Sequence, residues 1–349
     1  MTKKRPERNV LSIKLYICVT YYHVLITTIK SILSGEKPDL LLSNIIPGYE
    51  QLVPSLEKSG LFGKITALDN KRILPEQEKI NKRLDQLMRQ HSNKKIVDKY
   101  LDMDFGKYSD IYVYQDAHYI AYYLIAKKYK YHLIEDALDY FRYFDKYYGI
   151  AKTSYDPHSL KFRLKRLTGL GTQAWGNSKY CVDVEVNSLK DLKMCNEKYF
   201  EVPRKELFGR LTDDQKKTVY KIFAENKKVN SVGGDAVLVC TQPMFKDRHV
   251  SSMEVQLNVF EAVVREYSEK GYQIVIKPHP RDEADYSKII EKYHCGYIDK
   301  NLPSEVLNYD PDARPYYAAI SITSTSINFL DCATNKVFMG MDYAQSFDK

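Results

Sequence analysis

Apolar runs and polar junctions alternate along most of this chain in one repeating form. Leu15 to Val19 (L-Y-I-C-V) reads as a buried strand, Thr20-Tyr21-Tyr22-His23 as a polar loop, and the run to Leu33 as an apolar helix. Strands are predicted at Asp39 to Leu42, near Lys64 to Ala67, at Ile111 to Tyr114 and at Tyr131 to Ile134. The last closes in Glu135-Asp136 before a helix expected from Ala137. Pro75 to Asp102 carries a weak apolar stripe and reads as a solvated helical pair. Val184 to Lys228 is polar, with a helix at Asp213 to Phe223, and reads as a connection.

The same pattern then restarts. Strands are expected at Ala236 to Cys240, Gln273 to Lys277, Ala318 to Ile322 and Val337 to Met339, and helices at Met253 to Lys270, Ala284 to Tyr293, Leu302 to Leu307 and from Ile327. Strand, polar loop and helix in recurring order predict parallel α/β sheets. The 349 residues exceed what one core usually supports. We therefore expect an N-terminal domain over 1–200, a linker over 201–230 and a C-terminal domain over 231–349, each a Rossmann-like sheet.

Composition narrows the class. Hydrophobic residues make up 44% and charged residues 28%, an ordinary globular mix. The six cysteines form no C-x-x-C pair, which reads as reduced thiols with no zinc site or disulfide frame. No run of about 18 apolar residues occurs, and the charged start lacks the apolar core of an export signal. A cytoplasmic protein is expected. The net charge of +8 admits anionic partners. No nucleic-acid module motif is present, so no nucleic-acid partner is expected. The most basic short stretch, residues 161–166 with Lys161, Arg163, Lys165 and Arg166, reads either as solvated surface or as peripheral contact with anionic lipid at the inner membrane face.

Three junctions can carry chemistry. Glu135-Asp136 offers a general base, or plain capping of the next helix. In I-V-I-K-P-H-P-R, Pro278 and Pro280 hold His279 on a stiff turn at the carboxyl end of a strand, where open α/β sheets bind ligands. An imidazole there can donate a proton, and Lys277 adds a cation. Thr323, Ser324, Thr325 and Ser326 form a hydroxyl run that reads as a phosphate seat or as capping. There is no P-loop, no G-x-G-x-x-G after the first strand and no H-E-x-x-H, so neither a catalytic metal nor a nicotinamide cofactor is expected.

With these residues laid out, the chain resembles the bacterial sialyltransferases of glycosyltransferase family 52. The likeness rests on L-Y-I-C-V-T-Y-Y-H-V-L, H-L-I-E-D-A-L, L-V-C-T-Q-P, I-K-P-H-P, L-P-S-E-V-L and T-S-T-S. An acidic motif, a His-Pro motif and a paired-hydroxyl motif occur in the family's order. Ala137 stands where the family usually has glycine.

The resemblance implies two Rossmann-like domains facing a cleft, the GT-B arrangement. It also implies a CMP-Neu5Ac donor, no other cofactor, a glycan acceptor carried on a lipid or in a capsule, and room for a homodimer. Asp136 would be the base, with Asp247 next in line, and His279 the acid. Ser324, Thr325 and Ser326, helped by Lys277 and Pro280, would hold the phosphate. Glu305 would bond the ribose. Thr20, Tyr21, Tyr22 and His23 would line the first-domain side of the site, with Glu135 and Gln242 also against the substrate. The same architecture also serves CMP-Kdo transferases and teichoic-acid glycerophosphotransferases.

Overall fold

The computed structural model describes residues 13–79, 89–142, 160, 164, 174–192, 195–225, 227, 235–312 and 314–348. In chain order these residues form β1 (Lys14–Cys18), α1 (Tyr21–Ser34), β2 (Asp39–Ser43), α2 (Tyr49–Ser59), β3 (Ile65–Leu68), α3 (Asn70–Glu78) and α4 (Arg89–Tyr100). Then come β4 (Asp110–Val113), α5 (Tyr119–Ala126), β5 (Tyr131–Ile134), β6 (Cys181–Val186), β7 (Tyr199–Glu201), α6 (Arg204–Gly209) and α7 (Asp213–Ala224). The remainder holds β8 (Ala236–Cys240), α8 (Met253–Glu269), β9 (Gln273–Lys277), α9 (Ser287–Tyr293), β10 (Gly296–Tyr297), β11 (Tyr316–Ser321), β12 (Ala333–Phe338) and α10 (Met341–Gln345).

The chain divides into two units. The first holds residues 1–46 and 60–210, the second 47–59 and 211–349. In the first, the described strands order as β3-β2-β1-β4-β5-β6-β7, and in the second as β10-β9-β8-β11-β12. Every pairing among them is parallel. Both orders run outward from a central first strand and reverse once, which is the Rossmann pattern. The apolar strands, buried on both faces, follow from that layering: all five residues of β2 and of β8 are buried.

Each unit has its own core. Leu15, Ile17, Leu41, Val113 and Leu133 of the first sheet pack against Ile120 and Leu124 of α5. Val237, Val239, Ile274, Ile276 and Ile320 of the second pack against Val259, Phe260 and Val263 of α8. α1 begins on the side chain of Thr20, which accepts from the His23 amide, and ends on Gly35 at φ 70°, a conformation glycine adopts without strain.

Four expectations change. The helix expected from Ala137 is a bend and turn through residue 139, with Asp139 left-handed at φ 55°, and helix resumes only at Tyr140. The polar stretch from Val184 contains the second half of β6 and all of β7; the V-D-V-E-V alternation of β6 is the strand signal. The helix expected from Ile327 is a five-residue 3₁₀ segment, Thr325–Phe329. α9 starts at Ser287 rather than Ala284, because residues 281–286 are held in a loop around Asp282. The basic residues 161–166 lie outside the described residues except for the position of Leu164. Among the described residues, no helix is long and apolar enough to cross a membrane.

Candidate active site

In the first unit, β5 delivers Glu135 and Asp136 to the carboxyl edge of the sheet, and the two side chains part there. Glu135 turns inward and is 3% exposed. Its carboxylate accepts from the amides of Phe141 (3.2 Å) and Asn187 (2.7 Å), closing the turn onto the end of β6. Burial pushes its pKa up to about 7, against the pull of those two amides. Asp136 stays partly open, and its Oδ1 lies 2.5 Å from Nε2 of His23.

The His23 ring has one assignable tautomer. Its Nδ1 lies 3.1 Å from the Val19 amide, which can only donate, so Nδ1 accepts and Nε2 carries the proton toward Asp136. The ring is fully buried and stacks on Tyr114 at 4.2 Å and 7°. Tyr114 in turn bonds Thr27 at 2.7 Å. His118, close by, has its pKa pushed down to about 4 by burial, with Asp136 pulling it back up. Thr20 stands exposed as the α1 cap, whereas Tyr21 is packed inside. The sequence reading placed His23 only as lining. Its signal was position: third after the cap of the helix that follows β1.

In the second unit, β9 ends in Lys277, 2% exposed. Its ammonium donates to the carbonyls of Pro278 (2.9 Å) and Lys300 (3.1 Å), bracing the turn instead of reaching outward. Burial pushes its pKa down to about 8, while the carboxylates of Asp299 and Glu305 hold it up. Glu305, buried at the start of the 3₁₀ segment Ser304–Tyr309, is raised by the same burial.

His279 lies half-buried in the turn with Pro280, and the Asp282 amide closes that turn onto the His279 carbonyl at 2.9 Å. The Arg281 amide donates to its Nδ1 at 3.1 Å, so the neutral ring carries its proton on Nε2. Burial, then Arg281 and Lys277, push its pKa down to about 4. Arg281 also grips Asp247 with two bonds of 3.0 Å, so both oxygens of that carboxylate are taken.

The loop is fixed by a residue the sequence reading passed over. Asp282, 2% exposed, accepts from Thr241 (2.5 Å), Gln256 (2.9 Å), Tyr286 (2.8 Å) and the Ala284 amide (3.0 Å). Gln256, a polar residue fully buried within α8, was the signal available.

Across the switch point between β8 and β11, Gln242 joins the hydroxyl run. Its oxygen accepts from Ser321 Oγ (3.1 Å) and the Thr323 amide (2.9 Å), and its nitrogen donates to Thr323 Oγ1 (3.0 Å). Ser324 and Ser326 share a hydroxyl bond of 2.8 Å. No hydrogen bond among the described residues joins this run to His279. A cavity of about 450 Å³ opens beside the turn, lined by Tyr286, Tyr297 and Lys300 but also by Glu283, Asp285 and Glu291. That acidic wall disfavours a phosphate there. No group of three or more His, Cys, Asp or Glu among the described residues could hold a metal ion.

Two Rossmann-like units in one chain, with polar residues gathered at the carboxyl edges of their strands, make this an α/β protein of the GT-B class. The chain belongs to glycosyltransferase family 52, whose model matches residues 76–339. It is 30% identical over 105 residues to an uncharacterized protein of Haemophilus influenzae, a match spanning 30% of this chain and 33% of that one. Solved structures similar to it include a Methanocaldococcus jannaschii UDP-GlcNAc 2-epimerase in complex with UDP-GlcNAc and UDP. That likeness is 13% identical, has a TM-score of 0.49, and covers 96% of this chain and 91% of the other. Medicago truncatula UGT71G1 complexed with UDP-glucose is similar at 13% identity and a TM-score of 0.44, covering 92% and 78%.

Proposed function

We propose that this protein is an inverting sialyltransferase that moves sialic acid from CMP-Neu5Ac to a hydroxyl of a galactose-type terminal sugar on a capsule or lipooligosaccharide. Family membership supports glycosyl transfer, and the acidic, His-Pro and hydroxyl motifs support this donor. The observation that carries the reading is the orientation of His279. A main-chain amide occupies its Nδ1 and leaves an Nε2–H donor at the carboxyl edge of β9.

In this reading Asp136, held by His23 through one oxygen, uses the other to take the proton of the attacking hydroxyl. The carbon–oxygen bond to CMP breaks from the opposite face, inverting the anomeric centre. His279 Nε2–H hydrogen-bonds the departing phosphate and stabilises its growing negative charge. Gln242 positions Thr323, and the hydroxyls of Thr323, Ser324 and Ser326 are further donors to the phosphate. Such fixed donors stabilise developing charge without reorganising. Glu305 bonds the ribose. A lipid-linked acceptor would bring the chain to the inner membrane face.

The experiment is a donor screen. Release of CMP from CMP-Neu5Ac, and not from CMP-Kdo or CDP-glycerol, is the expected result, with the product linkage read by NMR. Turnover of either other donor in its place would replace this reading with a CMP-Kdo transferase or a glycerophosphotransferase.

A further inference from the structure

The first unit contains a second cavity that the transferase reading does not use. Tyr16 of β1, Tyr112 of β4 and His132 of β5 occupy matched positions on three adjacent strands. Their rings stack in a row, 4.4 Å from Tyr16 to Tyr112 and 4.8 Å from Tyr112 to His132. Stacked rings use their faces on one another, so the row offers its edges to the cavity above, which measures about 410 Å³. Neither phenol oxygen has a protein hydrogen-bond partner among the described residues.

Around the row the polar side chains come in pairs. Lys14 meets Glu36 at 2.6 Å, Lys30 meets Glu185 at 2.7 Å and His132 meets Asp183 at 2.8 Å. Exposed Arg210 also lines it, and Leu33, Leu133, Ile134, Phe200 and Leu207 add apolar wall suited to the C–H face of a sugar ring. None of Thr20, His23, Glu135 and Asp136 lines this cavity, so it is a separate place from the carboxyl edge.

This lining excludes most ligand classes. An anion would face Glu36, Asp183 and Glu185, and a cation would face Lys14, Lys30 and Arg210. An apolar ligand would strip water from two ion pairs and from the His132–Asp183 hydrogen bond without replacing what it removes. A neutral polyol fits. Each of its hydroxyls both donates and accepts, so neighbouring hydroxyls can give to a carboxylate and take from an ammonium or a phenol O–H. The volume lies in the ordinary range for small-ligand sites, about 300–1,000 Å³. We propose that this cavity is a saccharide-binding site, distinct from the site of transfer and independent of the donor assigned above.

The test is titration of lactose into the full chain, without donor, read by saturation-transfer NMR. Saturable binding is expected, and Tyr112→Phe, which removes one hydroxyl from an otherwise unchanged ring, should weaken it about fivefold, the worth of one hydrogen bond. Arg210→Ala, at the exposed rim, should weaken it without touching the sheet. CMP release from CMP-Neu5Ac should be unchanged in both. Absence of saturable binding overturns the proposal. So does wild-type affinity in both variants, or loss of binding in Asp136→Asn, which would put lactose at the transfer site instead.

Discussion

His23 and His279 are oriented by one device. In each, a main-chain amide donates to Nδ1, and the proton is thereby fixed on Nε2. In the first the Nε2 proton meets a carboxylate; in the second it has no hydrogen-bond partner among the described residues and is left open to a ligand. His279→Ala should lose roughly 10² to 10⁴ in turnover, the usual worth of an acid catalyst, and wild-type rates would remove it from the mechanism. Asp136→Asn should fall as far while still binding CMP, whereas Asp247→Asn should keep its turnover, since its carboxylate is engaged by Arg281. The opposite pair of results would move the base to Asp247. The pKa of His279, about 4 in the free protein, should rise when a phosphate dianion arrives. An NMR titration of the ring with and without CMP reads this directly, and an unmoved value would separate the imidazole from the phosphate. At this scale the sequence displayed which residue types stood at strand ends. It did not display which way each pointed, because the partners that decide this, the Asn187 amide for Glu135 and the His23 ring for Asp136, lie far away in sequence.

Strands and helices were mostly legible, since buried parallel strands read as short apolar runs bounded by polar junctions. β5, β8 and β9 fall on their expected residues. What failed were elements decided by tertiary bonds: β6 and β7 pair along the edge of the sheet despite polar sequence, and the 3₁₀ segment after β11 replaces an α-helix. That segment is too short to supply much helix dipole, so the hydroxyl run depends on Gln242 for its shape. Gln242→Ala removes three bonds at once and should raise the donor KM about tenfold, with a smaller effect on turnover. Equal falls in kcat with KM unchanged would argue against a binding role. α7 carries a capping box on Thr212 and Gln215. Thr212→Ala should cost about 1 kcal/mol in denaturant unfolding.

Over the whole chain, buried titratable groups set two opposing dependences on pH. His118 and His279 have pKa values near 4 in the folded state against an ordinary 6.5, so protonation favours unfolding. The stability they permit is complete above pH 6.5 and is lost as pH falls through 4. Glu135 and Asp116 are raised to about 7 and about 6, from 4.5 and 3.8. Their contribution is complete below those ordinary values and is lost as pH rises through the raised ones. The two slopes overlap and partly cancel. Glu135→Gln removes one of them, so its melting temperature should drop more steeply from pH 7 to 4.5 than that of the wild type. A parallel pair of curves would mean that Glu135 does not titrate in this range.

The helix α2 illustrates how sequence order and folding unit can disagree. It lies between β2 and β3 of the first unit, yet it packs on α7 of the second, with Leu52 and Leu56 buried and Lys58 paired to Glu225 at 2.8 Å. A gene cut after residue 210 would therefore strand thirteen residues with the wrong half. The second fragment would be made lacking a piece of its own surface, and a synthetic peptide spanning 47–59, supplied in trans, should restore its solubility.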